Sequence, residues 1–130
     1  MNAYQIAEID NRVRLKFTYV RDEYDMWTSY ADEILRGENI KGDCDDLAST
    51  VLDIMAREGA DPAKMYRAQV STTKTGPVDH MVGMITDDLG RLWIVGDTFK
   101  SAYRANRMSH RLVKTAKLSE GLGWRKAKLV

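Results

Sequence analysis

The only cysteine of the 130-residue chain, Cys44, lies in an acidic segment that spans Gly42–Asp46. From Cys44 onward, apolar residues recur at the spacing i, i+3, i+4, i+7, i+8 and i+11, which predicts a helix that runs to Met55 and buries one face. Asp43 is a good N-cap, and Gly59 is placed to end the helix. The sequence therefore predicts a thiol in the first turn of a buried helix.

Two opposing electrostatic effects act on a thiol at this position. Unpaired N–H groups and the helix dipole favour the thiolate, whereas repulsion from Asp43, Asp45 and Asp46 raises the pKa of the thiol. A cationic histidine against the sulfur or a bound cation would resolve the conflict. An inert, buried cysteine would also be consistent with the spacing, so the residues around Cys44 leave a catalytic role open.

A β-hairpin is predicted to bring the first of the two histidines next to a carboxylate. Its strands are His80–Thr86 and Arg91–Val95, which are rich in Val, Ile and Met. If the loop is centred on Asp88-Leu89 and has two or four residues, His80 lies opposite Asp97. Directly opposed residues have Cβ atoms about 4.5–5.5 Å apart, which permits an imidazole–carboxylate hydrogen bond. A shift of one residue would place the two on opposite faces.

These three residue types are the set that thiol nucleophilic catalysis requires. Cys44 would be the nucleophile, His80 the base that takes its proton, and Asp97 the carboxylate that orients the imidazole. The backbone N–H of Cys44 could stabilise an oxyanion. His80 is preferred to His110 as the base, because His110 lies in a basic segment with no predicted carboxylate partner.

A metal site is the other chemistry that the acidic segment suggests. One cysteine and two histidines without C-x-x-C or H-x-x-x-H spacing disfavour zinc. Asp43, Asp45 and Asp46 are hard oxygen ligands suited to calcium, although they lack the spacing of an EF-hand loop. Stabilisation of a helix N-terminus explains the same aspartates equally well.

An amphipathic helix is predicted over Ala3–Lys16, with four apolar residues inward and Asp10 and Arg14 among the outward charges. Trp27 is interpreted as a core aromatic. The remaining predicted elements, in chain order, are a loop over Tyr19–Asp25, a helix capped by Thr28 or Ser29 and ended by Gly37, a link over Gly37–Gly42, a strand over Met65–Val70, a loop or short helix over Thr98–Asn106, a strand over Arg111–Leu118, and a closing segment over Glu120–Val130 anchored by Trp124.

Length and composition predict a single domain over residues 1–130. One cysteine excludes an internal disulfide. The chain begins without a basic region followed by an apolar run and holds no bilayer-length apolar segment, so we expect a cytoplasmic protein.

Charge is unevenly distributed along the chain. Residues through Tyr103 include 12 basic and 18 acidic side chains, whereas residues 104–130 include eight basic residues and Glu120 alone. This basic segment could contact nucleic acid or an acidic partner. A solvated face is the favoured interpretation, because the charges are spaced out and few aromatics interleave with them.

The segments Gly42–Asp46 and Val95–Asp97, together with His80, resemble bacterial transglutaminase-like cysteine peptidases of the papain-like and transglutaminase-like superfamily. The resemblance covers about Ile9 to Phe99. It implies an α+β fold in which N-terminal helices, one with the nucleophile at its N-terminus, pack on an antiparallel sheet. It also implies the roles of nucleophile for Cys44, base and acid for His80, and orienting carboxylate for Asp97.

Members of that family include calcium-dependent periplasmic proteases that release surface adhesins. Carried to this sequence, their calcium-binding positions are Asp43 and Asp45, and such an ion would neutralise carboxylates that crowd the thiolate. The compact, signal-free form is similar to versions found in phage or prophage genomes.

The predicted function is that of a cysteine hydrolase, a peptidase or amidase acting on a peptide or protein substrate through an acyl-thioester. Two alternatives remain open. One is an acyl transferase of the transglutaminase type, which differs only in the group that attacks the acyl-enzyme. The other is a catalytically silent binding or assembly module that uses the basic C-terminal segment.

Overall fold

The computed structural model describes residues 1–21 and 27–120, and the backbone of 125–126. None of the helices within these ranges is both long and apolar enough to cross a membrane. The helices and strands are, in chain order, α1 (Ala3–Arg14), β1 (Phe17–Tyr19), α2 (Ala31–Leu35), β2 (Ile40–Gly42), α3 (Cys44–Arg57), β3 (Met65–Ser71), β4 (His80–Thr86), β5 (Leu92–Val95), β6 (Tyr103–Arg104), β7 (Arg111–Lys117) and β8 (Arg125–Lys126).

Six of the strands form one antiparallel sheet in the spatial order β6-β5-β4-β3-β7-β8. The other two, β1 and β2, pair in parallel. Helices come first in the chain and the main sheet follows, which is the α+β arrangement that the family resemblance implies.

The helix α3 lies at the centre of the core, against α1 and α2 on one side and the sheet on the other. Its apolar residues other than Cys44 and Ala56 are buried, as the helical spacing predicts. Asp43 is the N-cap, and the chain leaves the helix at Gly59, where φ is +103°. The predicted position of Cys44 in the first turn is confirmed.

The helix α1 confirms the predicted apolar face but not the predicted polar one. Ile6, Ile9 and Val13 are buried as expected, and the helix ends at Arg14, two residues before Lys16. Asp10 was predicted to face outward and is instead completely buried. It is buried because backbone N–H groups from a distant loop donate to its carboxylate.

Short elements were the ones that the sequence did not predict. The strand β1 contains Phe17, which was predicted to belong to the apolar face of the first helix, and only its last residue, Tyr19, falls in the predicted loop. The strand β2 lies in the predicted link, and three residues are too few to show a periodicity. The helix α2 begins at Ala31, later than the predicted cap, and β6 lies within the predicted loop of 98–106. The strands predicted from Met65, His80 and Arg111 are confirmed. The proposed anchor Trp124 lies outside the described residues.

The predicted register of the β4–β5 hairpin is wrong by one residue. Gly83 pairs with Val95 and Thr86 with Leu92, so the loop holds an odd number of residues. The carboxylate of Asp87 explains the longer loop, because it accepts hydrogen bonds from the backbone N–H groups of Leu89 and Arg91. Extended in this register, the ladder would place Asp97 and His80 on opposite faces.

Candidate active site

Cys44 is half-buried and is the first residue of α3. The shape of the loop that precedes it depends on a neighbouring carboxylate. Asp46 accepts hydrogen bonds from the N–H groups of Asp43, at 3.1 Å, and Thr28, at 3.2 Å. A Cβ on Gly42 would lie 2.6 Å from Asp46 Oδ2, so glycine is required there. These contacts fix the direction in which the chain enters α3, and with it the position of the thiol.

Cys44 and His80 line the same two cavities. The larger has a volume of about 390 Å³, and its remaining lining residues are Tyr19, Asp79, Thr98 and Phe99. The smaller measures about 250 Å³ and extends past Cys44 towards Asp43 and Asp45. The backbone of Met81, next to His80 in β4, lowers the pKa of the Cys44 thiol. The structure thus brings a cysteine and a histidine that are distant in sequence to one cleft.

The imidazole of His80 is held by Asp97. His80 Nε2 lies 2.8 Å from Asp97 Oδ1, and both side chains are buried. Because the ionised carboxylate can only accept hydrogen bonds, Nε2 carries the proton, and Nδ1 is left as the basic nitrogen. The hydrogen bond predicted from the sequence is therefore present, although it was predicted from an incorrect register.

Gly96 explains how Asp97 reaches His80 despite the shift in register. Pairing between β4 and β5 ends at Val95, and Gly96 then adopts a φ of +61°. This left-handed conformation interrupts the alternation of side chains between the two faces. A Cβ on Gly96 would lie 2.6 Å from the Cα of Ala48, so the loop also packs directly on the backbone of α3.

Among the described residues, four hydrogen bonds converge on the carboxylate of Asp97. Besides that from His80, the donors are Phe99 N at 3.0 Å, Tyr103 Oη at 2.6 Å and His110 Nε2 at 3.1 Å. Burial alone would raise the pKa of Asp97, but the hydrogen bonds from His80, Tyr103 and Phe99 outweigh it and hold that pKa well below its usual range. Burial and Asp97 together raise the pKa of Tyr103 above its ordinary value.

His110 was predicted to lack a carboxylate partner, and that prediction is wrong. It shares Asp97 with His80, and the two imidazole centroids lie 5.1 Å apart in an edge-on arrangement. Phe99 packs against both rings. No sequence pattern predicted the contacts of Tyr103 and His110 with Asp97, because the tertiary fold brings these residues together.

The thiol itself is in an unfavourable environment for ionisation. Burial has the largest effect and raises the pKa of Cys44 to about 11, and the charges of Asp45 and Asp43 act in the same direction. The backbone of Met81 acts in the opposite direction but does not compensate. The conflict inferred from the sequence is thus present in the folded protein, with burial added to it.

The acidic segment forms a compact cluster beside the thiol. Asp43, Asp45 and Asp46 each bring a carboxylate oxygen within 4.8 Å of the others. Neither oxygen of buried Asp45, nor Asp43 Oδ1, accepts a hydrogen bond from any part of the chain that the structure describes. Burial and the proximity of Asp43 raise the pKa of Asp45 to about 8, and burial raises that of Asp46 to about 6. Unpaired buried carboxylate oxygens of this kind suit a hard cation.

Trp27 lies apart from Cys44, in a cavity of about 190 Å³ that Ser49 and Arg67 also line. It is half-buried, and the guanidinium carbon of Arg67 lies 5.6 Å from its ring centroid. The interpretation of Trp27 as a core aromatic is correct only in part, because the side chain is partly buried but also lines a cavity.

The α+β fold, with a cysteine-bearing helix packed on an antiparallel sheet, matches the transglutaminase-like fold of known structures. Solved structures with this fold include Legionella pneumophila LapG, a transglutaminase-like cysteine protease. That structure has 18% sequence identity to this chain and a TM-score of 0.70, and the match covers 95% of this chain and 68% of LapG.

Two further LapG structures match in the same way. The calcium-bound form has 21% identity and a TM-score of 0.70 and covers 97% of this chain and 69% of LapG. The EGTA-treated form has 19% identity and a TM-score of 0.71 and covers 96% and 67%. No protein-family model matches the sequence, and no curated protein matches it either.

Proposed function

We propose that the protein is a cysteine hydrolase that cleaves a peptide or other amide bond through an acyl-thioester. The observation that carries this proposal is the position of Cys44 at the start of α3, in one cleft with His80, whose imidazole is held by Asp97. The likeness to LapG supports it at the level of the fold.

In the proposed reaction, His80 Nδ1 takes the thiol proton as Cys44 Sγ attacks the carbonyl carbon. The N–H of Cys44, at the helix N-terminus, stabilises the oxyanion. His80 then gives the proton to the leaving amine as the carbon–nitrogen bond breaks. A water molecule, deprotonated by the same nitrogen, attacks the thioester and releases the acid and the free thiol.

The electrostatics of the site assign a specific task to the His80–Asp97 pair. A thiol whose pKa is raised to about 11 is almost fully protonated at neutral pH. Transfer of its proton to His80 becomes favourable only if the resulting imidazolium is stabilised. Asp97 provides that stabilisation, since its hydrogen bonds keep it ionised within the protein.

Asp43 and Asp45 fit the predicted calcium site, because three of their buried oxygens lack a hydrogen bond from the described residues. Calcium bound there would neutralise the carboxylate charges that disfavour a thiolate at Cys44. The comparison with the calcium-bound LapG structure supports this choice of ion.

The larger cavity suggests how a peptide substrate would bind. Phe99 is 68% exposed and Tyr19 is 57% exposed, so both present aromatic surface at the cleft that contains Cys44. Exposed aromatic side chains of this kind are suited to bind an extended peptide on either side of the scissile bond.

Membership of the phage-type group stays a prediction from the sequence.

Cleavage of a peptide library in H₂¹⁸O would test the proposal and would separate hydrolysis from transfer. Wild-type protein with calcium should produce new peptide C-termini that carry one ¹⁸O atom, detected by mass spectrometry. A transferase would instead join acyl groups to amines without incorporating the label.

The matched control is Cys44→Ala, which should leave the library intact. The proposal would be contradicted if the wild-type and Cys44→Ala proteins gave the same peptides while Cys44 reacted with iodoacetamide no faster than free glutathione does.

A further inference from the structure

We infer that Asp10 and Arg14, on the helix α1, are positioning residues that hold the loop 96–102 so that Asp97 meets His80. The inference rests on the proposed function, because it assigns these residues to the machinery that activates Cys44. Neither residue lines the cleft, and both act through the backbone of that loop.

Asp10 holds the loop at its two ends. Its carboxylate is completely buried and accepts the N–H of Gly96 at 2.7 Å on Oδ1 and the N–H of Ala102 at 3.0 Å on Oδ2. One residue thus fixes the position just before Asp97 and the position just before Tyr103, which itself donates to Asp97.

Arg14 connects this carboxylate to Asp97 directly. Its Nη2 lies 3.1 Å from Asp10 Oδ2, and its Nη1 donates to the backbone oxygen of Asp97 at 2.6 Å. A guanidinium can make both contacts at once because its N–H groups diverge in a fixed plane. The side chain of Asp97 is therefore oriented by His80 and Tyr103, and its main chain by Arg14.

The loop is confined from the opposite side as well. Gly96 lies so close to the backbone of α3 that no Cβ fits against Ala48. The loop is held between α1, which carries the positioning pair, and α3, which carries the thiol. A small displacement of α1 relative to α3 would therefore move Asp97 away from His80.

Attachment of a helix to a loop through a buried carboxylate costs free energy, because the charge must be desolvated. Apolar packing would attach the two without that cost. Hydrogen bonds offer what apolar contacts lack, because they fix direction as well as distance. This is the reason to assign the Asp10–Arg14 pair to the precision of the site, in addition to the stability of the fold.

The chain offers a matched control on the same helix. Arg12 also forms ion pairs, with Glu8 and Glu58, both at 2.7 Å, but these lie on the exposed side of α1. Substitution of either arginine therefore removes a guanidinium that has two partners, which are carboxylates for Arg12 and a carboxylate and a backbone oxygen for Arg14. Of the two arginines, Arg14 is the one that donates a hydrogen bond to the loop of Asp97 among the described residues.

The test compares Arg14→Met, Arg14→Lys and Arg12→Met with the wild-type protein. The first readout is the ¹⁵N chemical shifts of the His80 imidazole, which report its tautomer and its hydrogen bond to Asp97. The second is the rate at which iodoacetamide alkylates Cys44 between pH 6 and pH 10. Thermal melts confirm that each variant is folded at the temperature used.

We expect Arg14→Met to shift the His80 signals towards a mixture of tautomers and to slow alkylation at pH 7 about tenfold, the effect of weakening one hydrogen bond to a charged group. The difference from the wild type should narrow as the pH rises towards the pKa of the thiol, because hydroxide then replaces His80 as the base. Arg14→Lys should recover part of the rate, and Arg12→Met should match the wild type.

The inference is overturned if Arg14→Met and Arg12→Met show the same His80 shifts and the same alkylation profile. Asp10→Asn provides a second test wherever it folds, and it should reproduce the effect of Arg14→Met. If wild-type Cys44 reacts like free glutathione, the proposed function fails instead, and the His80 shifts still decide whether the pair positions Asp97.

Discussion

Two carboxylates beside the cleft, Asp97 and Asp45, are each only 1% exposed, and the protein treats them in opposite ways. Asp97 accepts four hydrogen bonds, which hold its pKa below the usual range. Neither oxygen of Asp45 accepts one from the described residues, and burial raises its pKa to about 8. Within the described residues, the protein provides hydrogen-bond donors to the carboxylate of Asp97 and none to that of Asp45.

The contrast separates two requirements of a thiol nucleophile at a helix N-terminus. The imidazole needs a permanent negative charge on one side, and Asp97 provides it. The thiolate needs nearby negative charge to be removed on the other side, which a proton on Asp45 or a cation at the acidic cluster would do. Folding therefore sets the charge beside the imidazole, whereas the charge beside the thiol depends on the pH and on the cations present.

The largest effect is expected from Asp97→Asn. Loss of the charge that stabilises the His80 imidazolium should slow alkylation of Cys44 by iodoacetamide at pH 7 by roughly 10²–10⁴-fold, the usual contribution of general acid–base catalysis. Stopped-flow or mass-spectrometric rate measurements on the folded variant would check this.

Asp87→Asn is the matched control for Asp97→Asn. Asp87 is equally buried and accepts hydrogen bonds from Arg91 and Trp93 in the hairpin loop. Its loss should lower the melting temperature and leave the alkylation rate within about twofold of the wild type. Equal loss of reactivity in both variants would show that Asp97 acts through stability alone.

Asp45→Asn should abolish stabilisation by calcium. If calcium binds at the acidic cluster, a concentration about 100 times its Kd should stabilise the wild-type protein by about 2.7 kcal/mol. The variant should gain almost nothing, and without calcium it should melt at a higher temperature than the wild type, because folding then no longer has to protonate or bury an unpaired carboxylate. Thermal melts with calcium and with EGTA would measure both effects.

Asp53→Asn is the control on the same helix, since Asp53 pairs with Arg57 on the exposed side of α3. It should keep the full calcium response. A calcium-induced shift that survived in Asp45→Asn would place the ion elsewhere.

The two carboxylates should also give stability opposite dependences on pH. Asp45 has a folded pKa of about 8 against 3.8 in the unfolded chain, so the folded protein holds more protons between these values. Its contribution to stability therefore falls as the pH rises from about 4 to about 8. Asp97 has a lowered pKa, so its contribution is present above about pH 4 and is lost as the pH falls below that value.

Urea unfolding in EGTA from pH 3 to pH 9 would test this dependence. Between pH 5 and pH 8, the free energy of unfolding should fall more steeply in the wild type than in Asp45→Asn. Parallel curves for the two proteins would contradict the raised pKa of Asp45.

The smallest effect is expected from Tyr103→Phe, which removes one of the four hydrogen bonds to Asp97. It should lower the free energy of unfolding by about 1.5–3 kcal/mol, as loss of a hydrogen bond to a charged group does. Tyr4→Phe is the control, because Tyr4 is 79% exposed. Equal stability of the two variants would indicate that Asp97 does not depend on Tyr103.

The sequence predicted the features of the site that depend on a repeating hydrophobic pattern. The period of α3 identified the position of Cys44, and the resemblance assigned His80 and Asp97 their roles, which stay proposals. The β4–β5 register was wrong, because the side chain of Asp87 lengthens the loop by a residue and no local pattern shows this.

The supporting residues were missed for a different reason. Asp10 falls on the polar side of an amphipathic pattern, and only its contact with a loop far along the chain makes it a buried group. His110 and Tyr103 reach Asp97 through a turn of the chain that carries no periodic signal. Polar contacts between distant segments are set by the tertiary fold, which hydrophobic periodicity does not describe.

The pH dependence of Cys44 alkylation in wild-type protein and in His80→Gln, both with calcium, tests most directly whether His80 activates the thiol. Glutamine keeps a donor for Asp97 but cannot take a proton. We predict that the wild type shows a plateau of fast alkylation below pH 8, which reports transfer of the thiol proton to His80 as the sulfur attacks. The variant should lose that plateau and react only as the pH approaches the thiol pKa of about 11. Superimposable profiles for the two proteins would contradict the account.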